Sequence, residues 1–510
     1  MNKPVHINSR HIIGFLTGFL FLLLHDSCNE SIVSVNISVD PDKEIHTLKG
    51  GIGASWHSMS KEIPLDNQLY EFPVREVNPR GSGYGGNPPV SDTLAWQQIY
   101  RHTDWLGLNW LRVELSQRMY EPQKGKYDWD NEEMQALYNI LDWCEKNEAD
   151  VFLQQMWHYV EWLAYEGVHP LLSAPKSLDD YATGIGELLN YLVRIKGYSC
   201  IKYLSIANEP PGGPWGYWWS NGPSDDPVTP AWKRVAQELK KREIDIPLSA
   251  PGWTSLPPFD SSKIDFDPWV GAYDIHSYWG IGDDGEIIIS DWSEWAKRHG
   301  KPFFVTEIGN MNLGWGEDNP GPKTFEAALS NAEDIIRGIN LGVDAFNRWS
   351  FTNRGNMDGQ WQLIKTYDIE NQEFLQEIVP EKEAYYGFGI ITRFLSKYAT
   401  VVGMNSECSS DSLKIFTTAL KNPDGGLVLY LLNRSAESVW VILNIQYKTG
   451  SDNLYLYQVT KEKIMSEISP LSSDLLESDK GNYQFLLPPG SISTITDFLL
   501  TAQDIGIIAR

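Results

Sequence analysis

The chain has 510 residues, 42% hydrophobic and 21% charged, with 67 acidic against 42 basic residues and a net charge of −25. It is too long for one small domain, and its composition is that of a globular protein. The acidic excess argues against nucleic acid or anionic membrane surfaces as partners, because both need basic patches.

Taken in chain order, Lys3 and Arg10 precede an apolar run from Ile12 to Leu24. That run is too short to span a bilayer as a stable helix and reads as a targeting segment. Asp26-Ser27-Cys28 follows, resembling a bacterial lipoprotein signal. Residues 1–28 are therefore expected to be a signal segment, with a lipid anchor on Cys28 tying an exported protein to the cell envelope. Without the lipid the protein is expected to be secreted or periplasmic. Cys144, Cys200 and Cys408 remain, an odd number with no metal-ligand spacing, so neither a disulfide framework nor a metal site is expected.

Residues 29–49 hold two strand patterns, Ile32 to Ile37 and Ile45 to Leu48. Gly50-Gly-Ile-Gly-Ala-Ser-Trp-His57 then reads as a glycine-rich strand, followed by a polar loop over Lys61–Ser91. Its glycines lack the strand-turn-helix frame of a phosphate-binding loop. From there helices and strands alternate. Helix Thr93–Leu106 leads to strand Trp110–Leu115, helix Asn131–Lys146 to Val151–Trp157, and helix Leu178–Ile195 to a strand from Tyr203 to Ala207. Helix Pro230–Arg242 leads to Pro247–Pro251, and an irregular link over Phe259–Val270 to Ala272–His276. Helix Asp291–His299 leads to a strand from Phe303 to Thr306, helix Phe325–Leu341 to Ala345–Trp349, and a helix from Glu381 to Leu395 closes the series. Eight strands alternating with helices predict a (β/α)8 TIM barrel over 50–395. After Ser396 short strands separated by Asn, Asp and Gly turns predict a C-terminal antiparallel β-sandwich over 396–510. The strands of 29–49 have no partner in the barrel and are candidates to join it.

Barrel enzymes carry their chemistry at the C-terminal strand ends. Here those ends supply Trp56 and His57, Arg112 and Glu114, Trp157 and His158, Asn208 and Glu209, His276 and Tyr278, Glu307, and Arg348 and Trp349. Two glutamates on two strand tips suggest a carboxylate pair facing one cleft, the equipment for cutting a glycosidic bond. One carboxyl must protonate the leaving oxygen while the other stays ionised among hydrogen-bond donors, for which Tyr278 and Arg112 are candidates. Asn208 is a candidate for the sugar 2-hydroxyl. Each has a plainer reading: Arg112 as a structural ion pair with Glu114, Tyr278 as a packed aromatic, His57, His158 and His276 as core histidines. A three-histidine metal site has no spacing support. The chain has 21 Trp, 24 Tyr and 18 Phe. Trp215, Tyr217, Trp218 and Trp219 follow Glu209 in a Gly/Pro-rich loop, Trp315 follows Glu307, and Trp361 lies in the long segment Asn353 to Pro380. Trp in a polar loop has no core to fill, which favours stacking on sugar.

Asn208-Glu209-Pro210 on strand four, with Glu307 ending strand seven, resembles glycoside hydrolase clan A. Gly50-Gly-Ile-Gly-Ala, Asp274-Ile-His-Ser-Tyr278 and Tyr385-Tyr-Gly-Phe-Gly-Ile-Ile-Thr-Arg-Phe394 resemble family 30 most, with families 5 and 39 as relatives. Ile206-Ala207 and Ile308-Gly309 depart from that family's usual residues. The resemblance implies a retaining hydrolase of β-glycosidic linkages in oligo- or polysaccharides, with Glu209 as acid/base and Glu307 as nucleophile. Asn208, Arg112, Trp56, His57, Trp157, His158, His276, Tyr278, Trp349, Trp215 and Trp315 are the expected sugar-contacting set, with no cofactor and no metal. The alternatives are a catalytically silent glycan-binding lipoprotein, a transglycosylase on the same fold, and a metal-dependent barrel hydrolase.

Overall fold

Eight parallel strands close into a barrel in chain order. The computed structural model describes residues 33–500 apart from 59–85, 157, 169, 171–172, 211–227, 255, 314–320, 353–360, 369–370, 372, 447–452, 468–469 and 479–480. The signal segment, Cys28, Trp157, Trp215, Tyr217, Trp218, Trp219 and Trp315 lie outside the described residues.

The barrel strands are β2 (Ile52–His57), β3 (Trp110–Leu115), β4 (Asp150–Gln155), β5 (Ile201–Ser205), β6 (Leu248–Trp253), β7 (Ala272–Ser277), β8 (Phe303–Ile308) and β9 (Ala345–Arg348). The ring closes through β2–β9 pairing at Ile52↔Phe346 and Ala54↔Arg348. Helices α1 (Thr93–Leu106), α2 (Glu132–Lys146), α3 (Leu178–Leu189), α4 (Val228–Lys241), α5 (Gly282–His299), α6 (Phe325–Asn340) and α7 (Lys382–Thr392) lie between or after them. Their starts follow from local chemistry: Asp92, Asn131, Ser177 and Thr324 each accept a backbone N–H of the first turn through the side chain, satisfying donors that a helix leaves open. Between β6 and β7 the described residues of the irregular link hold two short 3-10 turns, Ser261–Lys263 and Asp267–Trp269.

Side chains alternate across each strand, so one set fills the barrel and the other packs on the helices. The floor of the interior is apolar: Trp110, Phe152, Phe304, Ala272 and Ala345, with Tyr203 beside them. Gly53 shows why the first strand is rich in glycine. A Cβ there would sit 1.4 Å from the Trp110 carbonyl oxygen, so only hydrogen fits between β2 and β3. Two residues further along the strands the interior turns polar, with Ser249 Oγ donating at 2.5 Å and Thr306 Oγ1 at 3.1 Å to the buried Asp274 carboxylate.

Around the barrel, two stretches differ most from the sequence expectation. Helix α5 starts at Gly282, well before the expected Asp291, because Gly282-Asp-Asp-Gly285 reads locally as a turn. The segment expected as a long loop after β9 instead carries a hairpin, β10 (Ile364–Asp368) with β11 (Glu373–Pro380).

The remaining strands form one nine-stranded sheet wrapped around its own core. They are β1 (Ser34–Thr47), β12 (Thr400–Cys408), β13 (Ile415–Lys421), β14 (Leu427–Asn433), β15 (Val439–Ile445), β16 (Leu454–Val459), β17 (Ser473–Leu476), β18 (Asn482–Leu487) and β19 (Ser491–Thr496). The two expected N-terminal strands are one strand, β1, with register irregularities between Asp40 and His46. It lies between β12, antiparallel, and β15, parallel. The sheet docks on α6 and α7: Tyr430 donates to the Ile391 carbonyl at 2.7 Å and Thr494 to Ile390 at 2.6 Å.

Candidate active site

The C-terminal mouth of the barrel gathers three buried carboxyls, Glu114, Glu209 and Glu307, around one buried guanidinium, Arg112. Arg112 and Glu114 project inward from β3, two residues apart, as the strand period dictates. Arg112 Nη1 donates to Glu114 and lies 2.8 Å from Glu307 Oε1, while Nη2 donates to Asn208 Oδ1 at 2.7 Å. One side chain therefore fixes residues from strands β3 and β8 and from the end of β5. The plainer reading of Arg112 as a partner of Glu114 holds as far as it goes, but the same guanidinium also serves Glu307.

Glu307 reaches the interior through an irregularity. Phe303 and Val305 face the outer core, so strict alternation would send Glu307 outward as well. The β7–β8 register slips between Ile275↔Val305 and His276↔Glu307. That bulge re-aims the side chain into the barrel, a familiar use of bulges beside functional sites. Glu209 is held differently. Its backbone N–H donates to the Gly252 carbonyl at 3.0 Å, and its φ is 43°, in the left-handed region that side-chain-bearing residues seldom occupy.

The two glutamates have unequal surroundings. Glu307 receives the Tyr278 hydroxyl on Oε2 and the Arg112 cation on Oε1. Glu209 Oε1 meets His276 Nδ1 at 2.6 Å and its carboxyl takes a side-chain hydrogen bond from Thr254. His276 Nδ1 also stands 3.5 Å from Glu307 Oε2, so the imidazole sits between them. One carboxylate oxygen of each glutamate and a His276 nitrogen all lie within 4.8 Å of one another. Burial pushes Glu209 up to about 7, with Thr254 and Arg112 pulling it down and Glu114 adding to the rise. Burial also raises Glu307, opposed by His276 and Arg112 and reinforced by Glu209 and Glu114. Carboxyls this close do not all ionise at neutral pH; they share protons as a set. Burial lowers His276, against the opposing pull of its carboxylate neighbours. For Arg112 burial acts against the charge, but Glu307 and Glu114 outweigh it and hold the group cationic.

The remaining expected residues divide. Trp349, 6% exposed, stands beside the site, with Arg112 5.7 Å from its ring centroid and His57 edge-on at 4.9 Å. His57 bonds Glu114 Oε2 through Nδ1 at 2.5 Å and is fully buried, so it extends the carboxylate network sideways from the neighbouring strand. Trp56 is corrected: fully buried, it faces out of the barrel, stacked on Trp96 of α1 and edge-on to Phe351. Period two forces this, because its neighbours Ser55 and His57 face inward. His158 is also corrected. It is buried, with Nε2 bonded to the Ser173 carbonyl at 2.7 Å and Nδ1 accepting the Val160 N–H at 3.3 Å, which pins a loop. Trp361, expected on a sugar-facing loop, is buried edge-on against Tyr278 and backs the ring that serves Glu307. Arg348 is buried and donates to the carbonyls of Trp361 and Pro322 at 2.5 and 2.9 Å, tying loops together beneath the rim.

Sequence reading missed three contributors: Thr254, the His57–Glu114 contact, and Trp361 as a support. Thr254 lies just past β6 in an irregular stretch, with no motif around it. The His57–Glu114 contact was within reach, since both fall on the inward period of adjacent strands.

Among known families, residues 71–333, just over half of the chain, match the model described as Cellulase (glycosyl hydrolase family 5). Residues 399–495 match the glycosyl hydrolase family 30 beta sandwich domain. No curated protein matches the sequence significantly. Among solved structures, a GH30 endoxylanase from Clostridium papyrosolvens C71 superposes with a TM-score of 0.60 at 14% identity, covering 90% of this chain and 99% of that one. A conserved exported protein from Bacteroides fragilis gives 0.62 at 13% identity, with 90% and 99% covered. A GH39 β-xylosidase from Caulobacter crescentus gives 0.56 at 13%, with the same coverage. At such identities the likeness is one of fold.

Proposed function

Since the chain belongs to the cellulase family of glycosyl hydrolases, family 5, within clan A, and carries the sandwich and overall architecture of family 30, we propose that it cleaves a β-glycosidic linkage in an oligo- or polysaccharide with retention of configuration. Glu209 is the acid/base and Glu307 the nucleophile. The observation that carries this reading is the closeness of the two carboxylates, with an oxygen of each within 4.8 Å. Retaining enzymes hold the pair at about 5–5.5 Å, whereas inverting enzymes leave about 6.5–9.5 Å for a water.

The roles follow from the donors. Glu307 has a guanidinium and a phenol hydroxyl on its oxygens, which favour its ionised form for attack on the anomeric carbon. Burial raises Glu209 and Glu307 alike, each to about 7, so the donors separate them: Glu209 has the weaker support, which suits a group that gives a proton to the leaving oxygen and later takes one from water. Asn208 accepts from Arg112 through Oδ1, leaving its amide nitrogen as the donor for the sugar 2-hydroxyl. Trp349 supplies the apolar wall beside the nucleophile.

The Glu209–His276–Glu307 cluster also has the compactness of a metal site, which gives the metal-dependent reading a specific basis. Against it, the Arg112 cation lies 2.8 Å from Glu307, and a divalent ion in that space would face its repulsion. The test is hydrolysis of aryl β-glycosides, xylans and β-glucans by wild type, Glu307→Gln and Glu209→Gln, with and without a chelator. Both variants are expected to lose most activity, the chelator to change nothing, and azide to rescue Glu209→Ala as a β-glycosyl azide. An unaffected Glu307→Gln enzyme would overturn the two-carboxylate reading. Export with a lipid on Cys28 belongs to the same proposal: Cys28→Ala should move the protein from the membrane to the soluble fraction, and unchanged fractionation would refute the anchor.

A further inference from the structure

The outer face of the sandwich carries a second surface of definite chemistry. Strand β15 alternates strictly, with Val439, Val441 and Leu443 buried in the sandwich core and Trp440, Ile442 and Asn444 pointing out. Trp440 is 45% exposed, unusual for the largest side chain. Register on β18 sets Leu486 beside Trp440, Gln484 beside Ile442 and Asn482 beside Asn444. On the other flank β1 sets Ser34, Asn36 and Ser38 in the same three rows. The result is a three-by-three grid of outward side chains with Trp440 on one row and an Asn444–Asn482 hydrogen bond of 2.9 Å on another.

None of these nine positions is charged, although 21% of the chain is charged, which would put about two charges there and more on an average surface. A charged partner finds no counter-ion on the grid; Glu407, opposite Asn36 on β12, borders it. A protein partner is disfavoured by size. Two inter-strand spacings by four residues of rise give roughly 10 by 14 Å, about 140 Å² against the roughly 800 Å² per partner of a stable interface. A flat indole flanked by aliphatic side chains and amides is matched instead to a sugar ring, which has an apolar C–H face and a rim of hydroxyls.

We propose that this β1–β15–β18 face binds a neutral glycan chain, apart from the barrel mouth, with Trp440 as the stacking platform and Asn36 and Gln484 as hydroxyl partners. It would hold polymer near the enzyme and leave short substrates unaffected. The inference rests on the glycan reading of the chain for its ligand class, though not on which residues cut.

The test is affinity electrophoresis of the full chain, in the Glu209→Gln background, through gels holding hydroxyethylcellulose, arabinoxylan, mixed-linkage β-glucan or galactomannan. At least one polymer should retard the protein. Trp440→Ala should weaken that retardation about tenfold, the effect of losing one stacking ring, while Trp440→Phe keeps part of it. In the otherwise wild-type chain, Trp440→Ala should leave kcat/KM on a short aryl glycoside unchanged. No retardation by any polymer, or equal retardation of both Trp440 variants and the parent, overturns the proposal. So does a changed sedimentation coefficient in Trp440→Ala with glycan retardation intact, which would mark a contact between copies. Retardation that depends on Trp440 in a chain that cleaves nothing would uphold this surface while sinking the catalytic reading.

Discussion

Replacing Glu209 by Gln tests the site through stability as well as rate. Glu209 is 5% exposed, and burial lifts its pKa from 4.5 to about 7. Between those values the native state keeps a proton that the unfolded chain has released. Stability falls with rising pH wherever the native state binds more protons. Below pH 4.5 the carboxyl is neutral in both states and imposes no penalty. Above pH 7 the penalty is complete, and at 1.36 kcal/mol per unit it comes to about 3 kcal/mol. The glutamine amide has nearly the same shape and never ionises. Urea unfolding of wild type and Glu209→Gln, followed by tryptophan fluorescence of the barrel transition at pH 4.5, 6 and 8, should therefore show the variant gaining on wild type by about 3 kcal/mol across that range. Its turnover of natural glycans should fall at least a hundredfold, within the range general acid catalysis supplies. Stability curves that run parallel from pH 4.5 to 8 would refute the buried, proton-holding state of Glu209, whatever the activity.

Tyr278→Phe removes the hydroxyl from Glu307 Oε2; kcat/KM should fall by roughly ten- to a hundredfold, and its acid limb should move to higher pH because an ionised carboxylate has lost a donor. Trp56→Ala should lower stability by about 3–5 kcal/mol, as expected for emptying a core tryptophan site, while KM stays as in wild type; a raised KM at unchanged stability would return Trp56 to the sugar-contacting set. Gly53→Ala should abolish soluble expression, since its methyl would overlap the Trp110 carbonyl; a soluble, active variant would mean that β2 and β3 can part without opening the barrel.

Much of the barrel was legible because periodicity and capping act locally. Thr93–Leu106 and Trp110–Leu115 appear at their expected bounds, the first between an Asp92 cap and Gly107 in the left-handed region. Val439–Ile445 and Leu454–Val459 were equally plain, both flanked by turn residues. Strands β17 and β19 escaped notice, because Ser473–Leu476 is short and the Ser- and Thr-rich Ser491–Thr496 lacks an apolar alternation. At the site, residue type and strand position singled out Glu209, Glu307, Arg112, Asn208, His276 and Tyr278, all of which meet at one rim. What the sequence did not carry was facing. Trp56 follows the strand period and so points away from the cleft, while Glu307 breaks the period through a bulge and points into it. Trp56 follows from period two once the inward set of its strand is known, whereas the turn of Glu307 shows in neither composition nor spacing, since a register slip arises between strands distant in sequence.

Strand β1 has a consequence for how the molecule is made. Val35 pairs with Cys408, a partner synthesised 373 residues later by subtraction of their numbers. Contacts of such separation form slowly, because a large loop must close before they contribute. Strand β1 thus waits beside a growing barrel with both hydrogen-bonding edges open, a template for pairing with other chains. Its register irregularities between Asp40 and His46 and the alternation of exposed polar residues along its first half blunt that edge. The barrel and sheet are consequently not separable by a single cut: a fragment ending at Leu395 leaves β1 without a sheet, and one beginning at Ser396 lacks the strand between β12 and β15. Strand β1 is stitched to β12 and β15 only after the whole barrel has been made, which makes this seam the step at which an incomplete or damaged chain would be betrayed.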